Sequence, residues 1–128
     1  MAQGRKKKIF VVEDEEIMAE ALRDFITTKT HHEVDVFGTG EECLKKLDEN
    51  PDIIILDYYL DTIVKGAASG MQILETIRSK KSNAHVIMLS SQEHYGVAMK
   101  TIIKGAEHYV VKDEGAFDKV LAIINEFD

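Results

Sequence analysis

Acidic, hydroxyl and ammonium side chains follow short apolar runs at four places in the sequence. Glu13 and Asp14 come after the first run, and Asp57 comes after the third. Ser90 follows the fourth run and Lys112 the fifth. Clustered carboxylates suit Mg²⁺, an aspartate can become covalently phosphorylated, and a hydroxyl and an ammonium can hold the remaining phosphoryl oxygens. These residue types together predict phosphoryl transfer to a carboxylate through Mg²⁺.

Each of these residues also has an ordinary structural interpretation. Acids at a helix start interact favourably with the helix dipole, so Glu15 and Glu16 are interpreted as capping residues rather than ligands. Asp14 alone is compatible with an N-cap, and Asp57 alone with a turn after a strand. The functional interpretation depends on the whole set, because four separate strand ends carry the groups that one reaction needs.

The short apolar runs predict five β-strands. Most are apolar throughout and rich in β-branched residues, as expected of strands buried on both faces of a parallel sheet. The second run alternates at Val34, Asp35 and Val36, which predicts a strand at the sheet edge. The predicted strands are Ile9–Val12, Val34–Phe37, Ile53–Leu56, Val86–Leu89 and Tyr109–Val111.

Segments with a helical period of apolar residues lie between and after these strands. Asn50 and Pro51 end the second helical segment, and Gly105 is placed to cap the fourth. Five strand-helix units predict an α/β fold with a doubly wound, five-stranded parallel sheet, whose carboxyl edge brings the residues above together. The apolar stripes are Ile17, Met18, Ala21, Leu22, Phe25 and Ile26; Cys43, Leu44 and Leu47; Met71, Leu74 and Ile77; Ala98, Met99, Ile102 and Ile103; and Phe117, Val120, Leu121, Ile124 and Phe127.

The composition indicates one globular domain over residues 1–128. Of the 128 residues, 45% are hydrophobic and 30% are charged, and no apolar run is long enough for a membrane span. The formal net charge of -7 disfavours direct nucleic-acid binding. Residues 1–7 are interpreted as a flexible basic tail. Because a single cysteine excludes an internal disulfide, a cytoplasmic location is expected.

Four segments of the chain resemble the receiver domains of two-component response regulators. They are IFVVEDE at 9–15, DIIILD at 52–57, VIMLSS at 86–91 and GAEHYVVK at 105–112. The resemblance runs from Lys8 to Phe127 and implies the strand order 2-1-3-4-5.

By this resemblance Asp57 is the phosphoacceptor, and Lys112 and Ser90 complete the catalytic set. The implied phosphoryl donor is a phosphohistidine of a histidine kinase or a histidine phosphotransfer protein. Phosphorylation would change binding to a downstream protein target that the sequence does not identify. A monomer and a phosphorylation-dependent dimer are both compatible with this, as are a stand-alone receiver and the receiver portion of a longer regulator.

The resemblance also implies Mg²⁺ as the cofactor. Its ligands would be the carboxylates of Glu13, Asp14 and Asp57 and the backbone carbonyl of Tyr59. The implied switch residues are Ser90 and Tyr109.

Two prolines usual in the family are absent. Asp113 follows Lys112 where family members carry a proline after a cis bond, and Asp61 follows Leu60. A cis bond before a residue other than proline costs about 2.5–4 kcal/mol, so a trans bond is expected before Asp113. Neither change removes a catalytic group.

The segment 58–70 is several residues longer than the matching loop of typical receivers. It is either a tolerated surface insertion, since lengthening a loop costs little, or a lid that limits access of water and kinase to Asp57. The bulky Tyr59 favours the lid, because a small or polar residue there would admit an attacking water more easily. The lid predicts a long-lived aspartyl phosphate.

Other functions compete with the phosphorylated switch. A degenerate receiver would bind partners without accepting a phosphoryl group. A Mg²⁺-dependent phosphatase with an aspartyl nucleophile, of the haloacid dehalogenase type, would need an aspartate where Tyr59 stands. Flavodoxin-like cofactor binding is disfavoured because the acids at 13–16 would repel a phosphate. Self-catalysed phosphotransfer and autodephosphorylation are therefore expected, rather than turnover of a substrate.

The histidines and the cysteine add no second site. The histidines lack metal-ligand spacing and are interpreted as surface or loop residues. Cys43 lies on an apolar stripe and is interpreted as a buried, inert thiol. The histidines are His31, His32, His85, His94 and His108.

Overall fold

The computed structural model, which describes residues 5–60, 63–91 and 95–127, alternates strands with helices. Every predicted strand is present and is one or two residues longer than predicted. The strands are β1 Lys8–Val12, β2 Glu33–Phe37, β3 Ile53–Asp57, β4 His85–Ser90 and β5 His108–Val111. The helices are α1 Glu16–Lys29, α2 Gly40–Lys45, α3 Gly70–Ser79, α4 Tyr95–Ile103 and α5 Ala116–Glu126, and a 3-10 turn at Leu47–Glu49 follows α2.

The five strands form one parallel sheet, as the sequence patterns predicted, in the order β2-β1-β3-β4-β5 that the family resemblance implied. The alternating strand β2 lies at one edge. In the register of the sheet Asp57 lies opposite Leu89, and Ser90 lies opposite Val111. The carboxyl ends of the strands therefore meet along one edge of the sheet.

Helices cover both faces of the sheet, which explains why the strands are apolar throughout. Ile9 and Val11 of β1 point into a core layer with α1 and α5. Phe10 and Val12 point into a second layer that contains Cys43 of α2 and the apolar residues of α3. In the part of the chain that the structure describes, no helix is both long and apolar enough to cross a membrane.

The predicted apolar stripe of α1 is wrong at Ile17 and Ala21. Ile17 is 88% exposed, Ala21 is exposed as well, and the residues that α1 buries are Ala19, Leu22 and Ile26. Ala19, Leu22 and Ile26 belong to the core layer on that face of the sheet, whereas Ile17 and Ala21 do not.

The predicted stripe of α4 is also wrong in orientation. Met99, Ile102 and Ile103 are exposed, whereas Thr101 is fully buried. The Thr101 hydroxyl donates a hydrogen bond to the Ala98 carbonyl oxygen at 2.8 Å, which satisfies the buried polar group. The apolar face of α4 therefore points to solvent.

One predicted helix end is confirmed and the other is shifted. α2 ends at Lys45, so Asn50 and Pro51 do not end the α-helix itself; they follow the 3-10 turn, which the chain leaves through Asn50 with a left-handed φ of 57°. Gly105 has φ of +117°, its N–H donates to the Ile102 carbonyl, and the Ala106 N–H donates to the Thr101 carbonyl. This is the glycine-terminated helix end that the sequence indicated.

The described part of the predicted basic tail contacts the sheet. Arg5 makes an ion pair with Asp52 at 2.7 Å. The Lys7 N–H donates to Nδ1 of His32 at 3.0 Å, and Lys7 is only 5% exposed. Residues 5–7 are thus held at the amino-terminal edge of the sheet, and residues 1–4 lie outside the described ranges.

Candidate functional site

Three carboxylates converge at the carboxyl edge of the sheet. One carboxylate oxygen each from Glu13, Asp14 and Asp57 lies within 4.8 Å of the others. Glu13 and Asp57 are each 2% exposed, and Asp14 is half-buried. They meet because β1 and β3 are adjacent parallel strands that end at the same level. The structure thus brings together the three acids that the sequence analysis singled out.

Lys112 extends from the end of β5 into this cluster. Its Nζ lies 2.8 Å from Oε1 of Glu13 and 3.2 Å from Oδ1 of Asp57. The Lys112 N–H donates to the Ser90 carbonyl at 2.8 Å, which fixes the backbone beside β4. No peptide bond among the described residues is cis, so the bond to Asp113 is trans, as expected.

The cluster changes the proton affinities of its members. Burial, and next to it the charge of Glu13, raise the pKa of Asp57 to about 7, although Lys112 acts in the opposite direction. Burial alone would lower the pKa of Lys112, but the Glu13 and Asp57 carboxylates outweigh it and raise that pKa above its usual value. The site therefore holds more negative charge than one ammonium compensates.

The donor set fits a magnesium ion. Oε2 of Glu13 accepts the Glu15 N–H at 3.1 Å. Oε1 is enclosed and accepts no hydrogen bond of good geometry from a described residue, although the Lys112 ammonium is close. One ammonium thus offsets the charge of two buried carboxylates, and a hard cation beside the three carboxylates would compensate the rest.

Glu15 and Glu16 lie at the helix start, as interpreted. Glu15 occupies the N-cap position of α1, without a capping hydrogen bond from its side chain, and Glu16 lies in the first turn. Neither belongs to the group of three acids described above.

Tyr59 lies beside the predicted phosphoacceptor. Its N–H donates to Oδ1 of Asp57 at 3.3 Å, and its ring packs edge-on against Tyr58 at 4.9 Å between centroids. The role of its carbonyl as a metal ligand stays a prediction.

Ser90 and Tyr109 are in contact. Ser90 is fully buried at the end of β4, and Tyr109 on the neighbouring strand β5 is half-buried. Burial raises the pKa of Tyr109, and the neighbouring Ser90 side chain partly opposes that shift. The two predicted switch residues are therefore close enough to influence each other.

The long loop after β3 is attached at several points. Leu60 is fully buried, the Ile63 N–H donates to Oδ2 of Asp14 at 3.3 Å, and the Ala68 N–H donates to Oε2 of Glu41 at 2.9 Å. Residues 61 and 62 lie outside the described ranges. One backbone N–H of the loop thus contacts the acidic cluster directly.

Sequence reasoning missed Glu41 and Gly70 as residues that position this loop. A Cβ on Gly70 would lie 2.2 Å from the carbonyl oxygen of Asp57, so only glycine fits where α3 begins. The signal was present in the sequence, because Ser69 and Gln72 form a capping box that marks this helix start. Glu41 had no such signal, since its partner is distant in the chain.

The structure shows the surroundings of several of the histidines and of Cys43. His32 lies in the loop between α1 and β2, as interpreted, but it is buried there and not on the surface. His85 pairs with Glu107 at 2.6 Å and stacks on Phe127, while His94 lies outside the described residues. Cys43 is fully buried, and burial raises the pKa of its thiol to about 12, as expected of an inert thiol.

Comparisons with known proteins all point to one protein family. A family model described as the response regulator receiver domain matches residues 9–125. The chemotaxis protein CheY of Listeria monocytogenes is 31% identical over 120 residues, which cover 93% of this chain and 96% of CheY. The probable C4-dicarboxylate response regulator DctR of Bacillus subtilis is 32% identical over 107 residues, which cover 82% of this chain and 45% of DctR. The chain thus spans less than half of the length of DctR.

The solved receiver domain of the Francisella response regulator 1452 has the same fold. Its TM-score is 0.83 at 20% identity, and the match covers 94% of this chain and 95% of that one. At this identity the likeness concerns the fold alone.

Proposed function

The chain belongs to the response regulator receiver domain family, and on that premise we propose that it is a signalling switch activated by phosphorylation of Asp57. The observation that carries the proposal is the buried Asp57 carboxylate, 3.2 Å from the Lys112 ammonium and clustered with Glu13 and Asp14. Few structural needs would gather three buried or half-buried acids around one lysine.

In the proposed reaction an Asp57 carboxylate oxygen attacks the phosphorus of a phosphohistidine. The bond from phosphorus to the histidine nitrogen breaks, the new bond to oxygen forms, and the released imidazole takes up a proton. The donor is a histidine kinase or a histidine phosphotransfer protein. Since both reactants are anionic, the attack needs positive charge at the site.

The chain supplies part of that charge itself. Lys112 is close enough to Asp57 to pair with a phosphoryl oxygen, and Ser90 lies at the end of the adjacent strand β4, where its hydroxyl can hold another. Mg²⁺, when bound by Glu13, Asp14, Asp57 and the Tyr59 carbonyl, supplies the remaining neutralisation of the phosphoryl oxygens.

Phosphorylation is proposed to act on partners through Ser90 and Tyr109. A new phosphoryl group would draw the Ser90 hydroxyl toward it, because Ser90 ends the strand next to Asp57, and would thereby change the surroundings of Tyr109. Movement of Tyr109 would then change the surface around α4, β5 and α5. Size-exclusion chromatography with and without beryllofluoride, a phosphoryl mimic, distinguishes a constant monomer from a dimer formed on activation.

The central test is direct phosphorylation. The chain is incubated with acetyl phosphate and Mg²⁺, and intact mass and peptide mapping locate the phosphoryl group. We expect one phosphoryl group on Asp57, none on Asp57→Asn, and normal labelling of Asp48→Asn, an exposed acid far from the cluster. Labelling of Asp57→Asn at the parental rate would refute the assignment. No labelling of the parental chain would favour a degenerate receiver that only binds partners.

A further inference from the structure

The backbone on both sides of Lys112 is held by hydrogen bonds. The Lys112 N–H donates to the Ser90 carbonyl at 2.8 Å. The next N–H, that of Asp113, donates to the Val111 carbonyl, also at 2.8 Å. Lys112 is therefore the central residue of a three-residue turn at the end of β5. This turn sets the direction in which the side chain leaves the backbone, and its ammonium then reaches the Asp57 carboxylate at 3.2 Å.

Asp113 begins a second turn, over residues 113–116. Its carbonyl accepts the Ala116 N–H at 3.1 Å, and Oδ1 of its side chain accepts the Gly115 N–H at 3.0 Å. Aspartate is favoured at the first position of such turns, because its side chain can accept the N–H of the residue two positions later. The turn is tied to the core, since Ala116 is only 1% exposed and packs in the layer with α1 and α5. Asp113 therefore connects the backbone of Lys112 to a fixed point of the fold.

The Asp113 side chain makes two contacts of unequal weight. Its Oδ2 forms an ion pair with Lys119 at 3.2 Å, but both side chains of that pair are about half exposed. Exposed ion pairs contribute little, because water and salt screen them. The hydrogen bond from the Gly115 N–H, in contrast, fixes the path of the backbone. Asparagine could accept that bond through its amide oxygen, whereas alanine could not.

We propose that Asp113 is a positioning residue for Lys112. Its carboxylate oxygen holds the turn over 113–116, and that turn holds the backbone from which the Lys112 ammonium reaches Asp57. Asp113 is exposed and lies outside the group of three acids, so it acts through Lys112 and not on the phosphoryl group. Its effect on phosphotransfer rests on the proposed function, whereas its effect on Lys112 does not.

The first test measures the initial rate at which acetyl phosphate and Mg²⁺ label Asp57. Asp113→Ala removes the acceptor, and we expect a rate at least about fivefold lower, because a displaced ammonium pairs poorly with the phosphoryl oxygens. Asp113→Asn keeps an oxygen for the Gly115 N–H and should stay within about twofold of the parent. Equal losses in the two variants would show that the charge matters and not the hydrogen bond, and would overturn the proposal.

Two further variants control for charge. Lys119→Met breaks the ion pair alone, and Asp118→Ala removes an exposed acid from the first turn of α5. Both should be labelled within about twofold of the parental rate. A loss in either variant as large as the loss in Asp113→Ala would overturn the assignment to the hydrogen bond.

A double-mutant cycle shows whether Asp113 acts through Lys112. Once Lys112→Ala has removed the ammonium, adding Asp113→Ala should lower the labelling rate by less than about twofold further, because the two residues act in one path. A merely structural role of Asp113 would lower the rate by the same factor in both backgrounds. Equal factors would therefore contradict the positioning role.

The position of the Lys112 ammonium is also measurable without a phosphoryl donor. The Lys112 side chain is 14% exposed, and its carboxylate partners raise its pKa, so little neutral amine is available to a short pulse of acetic anhydride. Peptide mass spectrometry compares its acetylation with that of the exposed Lys100. We expect acetylation of Lys112 to be at least about threefold faster in Asp113→Ala, because release from the acids lowers that pKa, and unchanged in Asp113→Asn.

The two readouts separate this proposal from the proposed function. Equal acetylation of Lys112 in the parent and in Asp113→Ala would overturn the positioning role, whatever the labelling of Asp57. If the parent accepts no phosphoryl group but Lys112 is released in Asp113→Ala, the phosphorylation switch fails and the positioning role stands. Because Asp113 is exposed and outside both core layers, the variants should remain folded, which their melting temperatures check.

Discussion

The backbone N–H of Ile63 donates a hydrogen bond to Oδ2 of Asp14 at 3.3 Å. The long loop after β3 therefore contacts a carboxylate that we propose as a metal ligand. The contact is made by the backbone, so it depends on the path of the loop rather than on the side chain of residue 63. The loop can therefore affect the acidic cluster through Asp14 without covering Asp57 itself.

Shortening the loop tests its proposed role as a lid. Deletion within 61–67 removes the Ile63 contact, and Tyr59→Asn, in a separate variant, replaces the bulky ring beside Asp57. Both should speed loss of the phosphoryl group in excess Mg²⁺ by a factor of about 2 to 10, equivalent to about 0.4–1.4 kcal/mol in the barrier. Phosphoryl release is followed by mass spectrometry. If both variants release phosphate at the parental rate, the segment is a passive insertion.

Magnesium should stabilise the folded chain through Glu13 and Asp14. An ion that binds only the native state adds about 2.7 kcal/mol at a concentration one hundred times its dissociation constant. Thermal unfolding in EDTA and in MgCl2 measures this gain. Glu13→Ala with Asp14→Ala should abolish it, whereas the neighbouring pair Glu15→Ala with Glu16→Ala should retain it. A full gain in the first variant would place the ion elsewhere.

Stability in the absence of metal should fall as pH rises through the titration of Asp57. The pKa of Asp57 is about 7 in the folded chain against an ordinary value of 3.8. Between these values the native state binds more protons than the unfolded state, so the free energy of unfolding decreases with pH, by at most about 1.4 kcal/mol per pH unit. Asp57→Asn should remove this slope and be more stable than the parent at pH 7.

Urea unfolding at several pH values in EDTA measures the two profiles. His32 adds a slope of the opposite sign in both proteins, because burial, with Lys7 as a further cause, lowers its pKa below 6.5. Its contribution to stability is lost as pH falls through that range, and the comparison with Asp57→Asn isolates the carboxyl. Parallel profiles of parent and variant would contradict the raised pKa.

The link between Ser90 and Tyr109 should carry the response to phosphorylation. Ser90→Ala should still accept a phosphoryl group, but the amide shifts it induces in β5 and α5 should be smaller. Loss of the hydrogen bond from the Ser90 hydroxyl to the phosphoryl group, about 0.5–1.5 kcal/mol, would lower the activation equilibrium by about 2- to 10-fold. Tyr109→Phe keeps the ring and removes the hydroxyl, so it separates the role of the hydroxyl from that of ring packing. Identical shifts in phosphorylated Ser90→Ala and in the parent would contradict the coupling.

The sheet and its acidic edge were predictable because both follow from burial and topology. Strands such as Ile53–Asp57 are buried on both faces, so their sequence is apolar up to the last residue. The strand order that the resemblance implied then sets Asp57 beside the end of β1. Ile17 and the stripe of α4 were misassigned for a different reason. Apolar periodicity shows which face of a helix can be buried, but not whether another element covers it.

The contacts of the loop could not be predicted from the sequence. The bonds from Ile63 to Asp14 and from Ala68 to Glu41 join residues far apart in the chain, and backbone N–H donors leave no trace in residue type. The burial of Lys7 could not be predicted either. A lysine within a run of basic residues is expected to be exposed, and only the fold shows what surrounds it.

The burial of Cys43 makes its rate of chemical labelling a measure of local opening of the core. It is the only cysteine of the sequence, it is fully buried in the layer that α2 and α3 form, and its thiol pKa is about 12. Thiol reagents attack the thiolate, so at neutral pH they modify Cys43 only when that layer opens. The labelling rate therefore reports the opening free energy of one half of the core, with no engineered probe. Measured with and without beryllofluoride, it shows whether activation loosens or tightens that half.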